Sequence, residues 1–356
     1  MNNSMMTPRV SVVMPVYNGE RFLSEAVESI LDQSFQEFEF IIIDDGSTDS
    51  TASILDSYHK QDARVRVYRQ ENKGLVASLN YGCELARGKY IARMDADDIA
   101  IGNRLMWQVE FMEKHPEVGI LGGAVEIIDT IGNSLRISGN PVADHELRRA
   151  FLEYCAFWHP TILMRKDILA LTGGYRKAFF GAEDYELWLR IADHSQLANL
   201  DAVLLKYRLH LYQVTVGKVR QMAFSTLAAQ AAAALRKKGL PDPLSSVEEI
   251  TPAVLAGLGV SEAAQQAALA RRYLWSIGTL YDNGEYARAF DVLNEMLRHC
   301  DWKQAEKRII ADLRLLEARL YWRQGRFARS IASAGRAAGI RPIILTRPLK
   351  PLLRRR

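Results

Sequence analysis

The chain has 356 residues, enough for two domains, and its 48% apolar and 25% charged residues are ordinary for a globular protein. A net charge of +4 is too small to indicate nucleic-acid binding by itself. The three cysteines, Cys83, Cys155 and Cys300, lack CxxC spacing, which argues against a disulfide framework or a zinc site. Without a signal peptide or an apolar run of membrane-spanning length, we expect a cytoplasmic protein.

Short apolar runs alternate with helical patterns along the first 94 residues. We expect strands over residues 10–14, 38–43, 65–68 and 90–94, with helices between them. The third helix covers residues 75–86, and Gly88 is placed to serve as its left-handed cap. Continuous apolar strands separated by helices predict a mostly parallel, Rossmann-like sheet with helices on both faces.

Polar residues follow three of these strands at their carboxyl ends, where such sheets bind ligands. They are Pro15-Val16-Tyr17, Asp44-Asp45 and Asp95-Ala96-Asp97-Asp98. Three carboxylates within four residues repel one another unless a cation lies between them, and oxygen ligands suit Mg²⁺ or Mn²⁺. An acidic turn that caps the next helix is the alternative for an isolated Asp-x-Asp. The first crossover has neither GxGxxG nor GxxxxGK[ST], which argues against a dinucleotide oxidoreductase and a P-loop NTPase.

After Gly119 the pattern changes. Strands are expected over residues 119–129 and 135–138, joined by a hairpin-type turn, and then over 162–164 and 203–209. A helix is expected over residues 144–153. Glu183 and Asp184 stand at the start of another helix, whose N-terminus stabilises an ionised carboxylate.

Roughly residues 8 to 215 resemble the family 2 inverting glycosyltransferases, which have the GT-A fold. Seven segments, in order, carry the resemblance: Val10–Asn18, Ile43–Asp49, Arg93–Asp98, His159-Pro160-Thr161, Gly173-Gly174-Tyr175, Ala182–Tyr185 and Tyr207-Arg208-Leu209-His210.

The resemblance implies roles for the polar residues. Those that hold the nucleotide of the donor are Pro15, Val16, Tyr17, Glu20, Asp45, Lys73, Asn80, Arg93 and Asp95. Many members have Arg-Asn where this chain has Leu79-Asn80, and we expect Arg93 to supply the missing positive charge. Asp95, Asp97, Asp98 and His210 meet the metal, and Asp184 is the catalytic base. For His159 we favour a structural role.

These roles predict an inverting, metal-dependent hexosyltransferase. It would move a sugar from a UDP-hexose or UDP-N-acetylhexosamine, with Mn²⁺ or Mg²⁺, to a hydroxyl of a growing, lipid-linked bacterial surface glycan such as lipopolysaccharide or capsule. A nucleotidyltransferase acting on sugar phosphates is the enzymatic alternative, but it needs a glycine-rich phosphate loop after the first strand. A non-catalytic scaffold that uses the helical region is the other alternative. Partners would be the donor and the acceptor, and no nucleic acid.

The last third of the chain is predicted to be helical. We divide the chain into a catalytic domain (1–215), a helix and linker (216–246), a helical domain (247–340) and a basic-apolar tail (341–356). Segments 280–289 and 321–330 align at a spacing of 41 residues and resemble tetratricopeptide helix pairs. This region is a candidate for self-association or for a protein partner. The tail has six basic residues and no acid, so we hypothesise contact with the cytoplasmic face of the inner membrane, and a solvated tail is the alternative.

Overall fold

A computed structural model of the protein describes residues 7–209, 218–301 and 305–342. Within these ranges the chain divides into two compact units. The first unit contains residues 7–177 and 183–209, and the second contains residues 178–182 and the described residues from 218 onward. Predicted His210 and nearly all of the basic tail lie outside the described residues.

The first unit is built on a nine-stranded sheet with the order β3-β2-β1-β4-β8-β6-β9-β5, in which β7 pairs with β6. Its strands are β1 (Val10–Val16), β2 (Phe38–Asp44), β3 (Val65–Arg69), β4 (Tyr90–Arg93), β5 (Ile99–Ala100), β6 (Val118–Ile128), β7 (Ser134–Ser138), β8 (Leu163–Arg165) and β9 (Gln196–Arg208). Its helices are α1 (Leu23–Leu31), α2 (Thr51–Gln61), α3 (Leu75–Leu85), α4 (Arg104–Lys114), α5 (Asp144–Ala150), α6 (Lys166–Thr172) and α7 (Glu183–Ile191).

Every residue of β1, β2 and β4 is buried, which explains why these strands are continuously apolar in sequence. On one face of β1, Val12 and Met14 belong to the same core cluster as Ile30 of α1. On the other face, α3 approaches so closely that a Cβ added at Gly82 would lie 2.4 Å from Val13 Cγ1. Helices therefore cover both faces of the central strands, as predicted.

The sheet is parallel only in part. Strands β3, β2, β1 and β4 pair in parallel, whereas β4 pairs antiparallel with β8, and β8 antiparallel with β6. Beyond these, β6 and β9 are parallel, so the complete sheet is mixed. The prediction of mostly parallel strands holds for the first four strands, whose connecting helices impose that direction.

Gly88 does not have the left-handed backbone that was predicted for it, since it is absent from the positive-φ residues of the described chain. Its role is close packing. A Cβ at this position would lie 2.7 Å from the backbone nitrogen of Ser11 and 2.8 Å from the carbonyl carbon of Val10. The segment before β4 passes β1 at a distance that admits no side chain.

The described part of the second unit is helical, as predicted. Its helices are α8 (Val219–Arg236), α9 (Pro252–Gly257), α10 (Glu262–Asp282), α11 (Tyr286–His299), α12 (Lys307–Arg323) and α13 (Phe327–Ile340). Two hairpins, α10–α11 and α12–α13, turn at Gly284 and Gly325, which have φ values of 80° and 71°. No helix among the described residues combines the length and the apolar character that crossing a membrane requires.

Candidate active site

Asp95, Asp97 and Asp98 form a compact group of carboxylates directly after β4. One oxygen from each lies within 4.8 Å of the others. Asp98 is only 1% exposed, and its Oδ2 accepts no hydrogen bond from any residue that the structure describes. Burial, followed by the charges of Asp95 and Asp97, raises the pKa of the Asp98 carboxyl well above its ordinary value. A buried acceptor without a donor among crowded carboxylates is the arrangement that a divalent cation would complete, so these residues fit a Mg²⁺ or Mn²⁺ ion.

Arg208, at the end of β9, holds the acidic turn in place. Its backbone N–H donates to Asp98 Oδ1 at 2.8 Å, and its Nε donates to the carbonyl of Asp97 at 2.9 Å. The guanidinium is 2% exposed and also reaches Glu25 Oε2 on α1 at 2.5 Å. The short strand β5 pairs antiparallel with Leu205 and Lys206 just before it. Arg208 belongs to the Tyr207–His210 segment that resembles the family, but no role was predicted for its side chain.

Arg93, the last residue of β4, connects the acidic turn to the predicted base. Its side chain is buried and forms an ion pair with Asp95. Burial raises the pKa of the Asp184 carboxyl, and the charge of Arg93 opposes that rise. Among the described residues no acceptor lies in hydrogen-bond geometry to its Nε. The structure thus places Arg93 beside the acidic cluster, as predicted, with one buried donor unused.

Asp184 lies in the first turn of α7, where its Oδ1 accepts a hydrogen bond from the backbone N–H of Tyr185. The Cys155 thiol lies 3.9 Å from its Oδ2. Burial raises the pKa of the Asp184 carboxyl, and the Tyr185 N–H and the charge of Arg93 only partly offset this effect. The result is a carboxylate that is a stronger base than an exposed aspartate.

His159 is part of an aromatic cluster around Trp188, which is fully buried in α7. Its ring centroid lies 5.6 Å from that of Trp188, and its Nε2 lies 3.0 Å from the hydroxyl of Tyr175. Burial, followed by the charge of Arg93, lowers the pKa of the imidazole well below its ordinary value. The ring is therefore neutral at pH 7 and packs beside the start of α7, which agrees with the structural role that we favoured.

The loops after β1 and β2 are bound to each other at the carboxyl edge of the sheet. The Asn18 N–H donates to Ser47 Oγ at 3.0 Å, and the Thr48 N–H donates back to Asn18 Oδ1 at 2.8 Å. Glu20 accepts from the backbone of Ser50 at 3.0 Å and thereby joins the same network. Pro15 and Val16 are buried within β1, whereas Tyr17, which follows them, is 53% exposed. Of these three residues, Tyr17 has its ring available to a ligand.

Asp45 organises the loop before α3. Its carboxylate accepts from the backbone N–H groups of Lys73 and Gly74 at 2.9 and 2.8 Å, and from Gln70 Nε2 at 2.7 Å. The Lys73 side chain itself is exposed. Gly46, with φ of 77°, passes so close that a Cβ would lie 2.8 Å from the backbone nitrogen of Asn72. The structure therefore brings Asp45 and Lys73 together through the backbone of Lys73.

Asn80 points toward the Gly173-Gly174-Tyr175 loop. Its Nδ2 donates to the carbonyl of Tyr175, and its Oδ1 accepts from the Tyr175 N–H, both at 2.9 Å. A Cβ at Gly174 would lie 2.8 Å from Asn80 Oδ1. Asn80 thus fixes the loop that carries Tyr175, which is a contact that the sequence did not predict.

Comparison with known proteins identifies the family. The model of Glycosyl transferase family 2 matches residues 11–171. The putative glycosyltransferase EpsE of Bacillus subtilis is 38% identical over 207 residues, which cover 56% of this chain and 73% of EpsE. The chain belongs to glycosyl transferase family 2. The O-antigen biosynthesis glycosyltransferase WbnJ of Escherichia coli is 32% identical over 56% of this chain and 80% of WbnJ.

An uncharacterized glycosyltransferase of Haemophilus influenzae is 36% identical over 213 residues, and the match spans 66% of its length and 57% of this chain. Two solved structures share the fold at low identity. TarS of S. aureus, residues 1–349 in complex with UDP, has a TM-score of 0.54 at 16% identity, covering 95% of this chain and 91% of that one. The mannosyltransferase PcManGT of Pyrobaculum calidifontis, in complex with GDP-Man and Mn²⁺, has a TM-score of 0.52 at 18% identity, covering 94% and 88%. The predicted family 2 glycosyltransferase and its GT-A fold with a helical C-terminal part are confirmed.

Proposed function

We propose that this family 2 enzyme is an inverting, metal-dependent hexosyltransferase. It moves a sugar from a nucleotide-sugar donor, UDP-hexose or UDP-N-acetylhexosamine, to a hydroxyl of a growing, lipid-linked bacterial surface glycan. One observation carries the proposal: Asp95, Asp97 and Asp98 place carboxylate oxygens within 4.8 Å of one another, and the buried Asp98 Oδ2 has no hydrogen-bond donor among the described residues. Arg93 forms an ion pair with Asp95 of this cluster, and its charge opposes the rise in the pKa of Asp184. An inverting transfer requires two parts: a group that stabilises the charge of the leaving diphosphate, and a base that takes the proton of the acceptor hydroxyl.

The loops after β1 and β2, which are hydrogen-bonded to each other, form the part of the site that binds the nucleoside of the donor. The exposed ring of Tyr17 offers a stacking surface for a base. The carboxylate of Asp45 holds residues 73 and 74 against the same edge. The TarS complexes with UDP and with UDP-GlcNAc, which share only the fold, support a UDP-sugar as donor.

The diphosphate end is formed by the acidic turn. Asp95, Asp97 and Asp98 would hold the ion, and Arg208 keeps the turn that carries them in one position. A bound Mg²⁺ or Mn²⁺ ion supplies positive charge for the two negative charges of the leaving nucleoside diphosphate. Arg93 balances the charge of Asp95 from the buried side of the turn. The Mn²⁺ in the PcManGT complex supports this choice of metal.

The acceptor end is formed by Asp184. Its carboxylate takes the proton of the acceptor hydroxyl, while the oxygen of that hydroxyl attacks the anomeric carbon from the face opposite the diphosphate. This single displacement inverts the configuration, so it needs one base and no protein nucleophile. The raised pKa of Asp184 strengthens it as a proton acceptor. The name of WbnJ, an O-antigen biosynthesis enzyme, supports a surface glycan as acceptor.

Our division into a catalytic domain (1–215), a linker, a helical domain and a tail stays part of the proposal. So does the inner-membrane contact through residues 341–356, which would bring the enzyme to its lipid-linked acceptor. Removing these residues should reduce co-sedimentation with anionic liposomes. Undiminished co-sedimentation after their removal would refute the membrane role of the tail.

The donor is identified by measuring release of UDP from a panel of UDP-sugars in the presence of Mn²⁺. We expect turnover of one donor, its loss on chelation of the metal and its loss in Asp97→Ala. Asp201→Ala is the matched control, since Asp201 is an exposed aspartate of β9. Failure of the wild-type protein to bind any nucleotide sugar in calorimetry would refute the proposal.

A further inference from the structure

Arg104, the first residue of α4, is a fully buried arginine. Its Nη2 donates to the carbonyl of Arg93 at 2.8 Å, and its Nε donates to Gln108 Oε1 at 3.1 Å. It also donates to the carbonyl of Ile162 and to the sulfur of Met94. Within the ranges that the structure describes, none of its hydrogen bonds ends on a carboxylate. A buried cation is costly unless negative charge lies nearby, so this charge is balanced from beyond hydrogen-bond distance.

The balancing charge comes from the acidic turn, residues 95–98, which follows β4. The carbonyl that Arg104 binds belongs to the last residue of that strand, so backbone dimensions place the guanidinium within about 10 Å of the Cα atom of Asp95. Burial, followed by the charge of Arg93, lowers the pKa of Arg104 to about 9, and the charge of Asp98 opposes this fall. The guanidinium is therefore charged at pH 7 and interacts with the carboxylates of the turn.

Arg104 is one of three buried guanidiniums beside the acidic turn. The other two, Arg93 and Arg208, are 4% and 2% exposed. Arg93 forms an ion pair with Asp95, and Arg208 forms one with Glu25. Arg104 differs from both, because among the described residues no carboxylate accepts a hydrogen bond from it. Three positive charges therefore face these carboxylates before any metal ion binds.

The charge of Arg104 also acts on a cation that binds at the acidic turn. Repulsion between a unit positive charge and a divalent ion about 10 Å away changes a dissociation constant by more than about tenfold, even at an effective dielectric constant of about 40. The two negative charges of a nucleoside diphosphate neutralise the ion, so the same guanidinium does not repel the complex of the two. Arg104 thus discriminates between a lone ion and an ion bound to a diphosphate.

We propose that the charge of Arg104 weakens the binding of a lone divalent ion to Asp95, Asp97 and Asp98, so that these carboxylates hold the ion tightly only together with the nucleoside diphosphate. This inference rests on the proposed function, because it takes the three carboxylates as the metal ligands. It assigns Arg104 a role that its hydrogen bonds alone do not require.

Two substitutions that differ in charge test the proposal. Arg104→Met and Arg104→Lys both lose the hydrogen bonds of the planar guanidinium, but only lysine keeps the positive charge. Mn²⁺ is titrated into the full chain at pH 6.5 without nucleotide, and free Mn²⁺ is followed by electron paramagnetic resonance. We expect Arg104→Met to bind Mn²⁺ about fivefold or more tighter than the wild type, and Arg104→Lys to stay within about twofold of it.

The direction of the effect separates charge from packing. A purely structural role predicts that both variants bind Mn²⁺ more weakly than the wild type, because both lose the contact with the carbonyl of Arg93. Unchanged or weaker binding in Arg104→Met would overturn the proposal, and so would equally tight binding in Arg104→Met and Arg104→Lys. The affinity for the preformed complex of Mn²⁺ with UDP should stay within about threefold of the wild type in Arg104→Met, since that complex is not repelled.

Arg165→Met is the matched control. Arg165 also donates to backbone carbonyls, those of Val118 and Met112, at 2.8 and 2.7 Å. It pairs with Tyr90 at the opposite end of β4 from the acidic turn, so its loss should leave the affinity for Mn²⁺ within about twofold of the wild type. Thermal melting followed by circular dichroism checks that each variant is folded.

The wild-type protein supplies a test that needs no variant. The affinity for UDP is measured by calorimetry with and without Mn²⁺, and by reciprocity the factor by which Mn²⁺ tightens UDP binding equals the factor by which UDP tightens Mn²⁺ binding. We expect a factor of about ten or more. Wild-type protein that binds Mn²⁺ as tightly without UDP as with it would overturn this inference alone. Wild-type protein that binds Mn²⁺ under neither condition would refute the metal site of the proposed function as well.

Discussion

Replacing Asp184 by Asn separates catalysis from folding, because the structure predicts opposite effects on the two. The substitution keeps the shape of the side chain at the start of α7 but removes the proton acceptor. A positioned base contributes about 10²–10⁴-fold to a reaction rate. We therefore expect kcat to fall by about that factor with the productive donor, while the dissociation constant for the donor stays within about twofold of the wild type.

Stability should respond in the other direction. Burial raises the pKa of Asp184 in the folded protein above its value in the unfolded chain. The folded state then binds the proton more tightly, so the contribution of this group to stability is present below the unfolded pKa and is lost as the pH rises through the folded pKa. At neutral pH the ionised, half-buried carboxylate costs stability. Asp184→Asn removes that cost, and its free energy of unfolding at pH 7 should equal or exceed that of the wild type.

The pH dependence supplies the decisive assay. The base works only when ionised, so kcat/KM of the wild type should fall tenfold per pH unit below the raised pKa of Asp184. The residual activity of Asp184→Asn should lack this limb. Asp201→Asn, an exposed aspartate changed in the same way, should keep the wild-type profile. An Asp184→Asn enzyme that retains both rate and acid limb would refute the assignment of the base, and one that unfolds at neutral pH would refute the reasoning about burial.

Three other substitutions test the scaffold by denaturant unfolding. Glu39 is buried, and although burial raises its pKa, hydrogen bonds from Arg87, Ser11 and Arg66 outweigh that effect and lower it. Glu39→Gln should cost about 3 kcal/mol at pH 7, whereas the exposed control Glu37→Gln should cost under about 0.5 kcal/mol. The difference should shrink as the pH falls through the folded pKa of Glu39, and a constant difference would contradict the pairing. Asn80→Ala loses two hydrogen bonds to the backbone of Tyr175 and should lower the free energy of unfolding by about 2 kcal/mol. Unchanged stability together with weaker donor binding would instead indicate that Asn80 contacts the donor directly. Gly88→Ala should lower the free energy of unfolding by about 1–3 kcal/mol, because the added Cβ meets the backbone of Ser11. In the control Gly278→Ala the added Cβ meets no atom within 4 Å, and the free energy of unfolding should rise by up to about 1 kcal/mol. Equal effects of the two substitutions would contradict the packing argument.

The central strands were predictable because burial on both faces leaves a continuous apolar run, and β1, β2 and β4 are buried at every position. The start of β9 was not predictable by that criterion. The strand begins at Gln196 and contains Asn199 and Asp201 before its apolar run. Asn199 is buried nevertheless, because its amide donates to the carbonyl of Pro141 at 2.8 Å. This hydrogen bond to a loop distant in sequence stabilises a buried polar residue, and the local sequence pattern does not reveal it.

The direction of the later strands was also not predictable from the sequence. Alternating and apolar patterns indicate that a strand is present, but they are the same for parallel and antiparallel pairing. Direction follows from the connection, and a helix between two adjacent strands imposes the parallel one. The segments after Gly119 do not repeat this unit regularly. The antiparallel pairing of β8 with β4 and the parallel pairing of β9 with β6 therefore became visible only in three dimensions.

The acidic cluster was recognisable in sequence because its members are neighbours in the chain. The interaction of Arg93 with both this cluster and the proposed base, Asp184, was not recognisable. Residues 93 and 184 lie far apart in the chain, and the sheet brings their charges together. A buried guanidinium is stable only beside negative charge, and here that charge is supplied by Asp95, with Asp98 and Asp184 near enough to interact. The positive charge that stabilises the crowded carboxylates also limits how far burial raises the pKa of Asp184, the proposed base. In the proposed site Arg93 therefore acts at both ends: it forms an ion pair with Asp95 at the diphosphate end and opposes the rise in the pKa of Asp184 at the acceptor end.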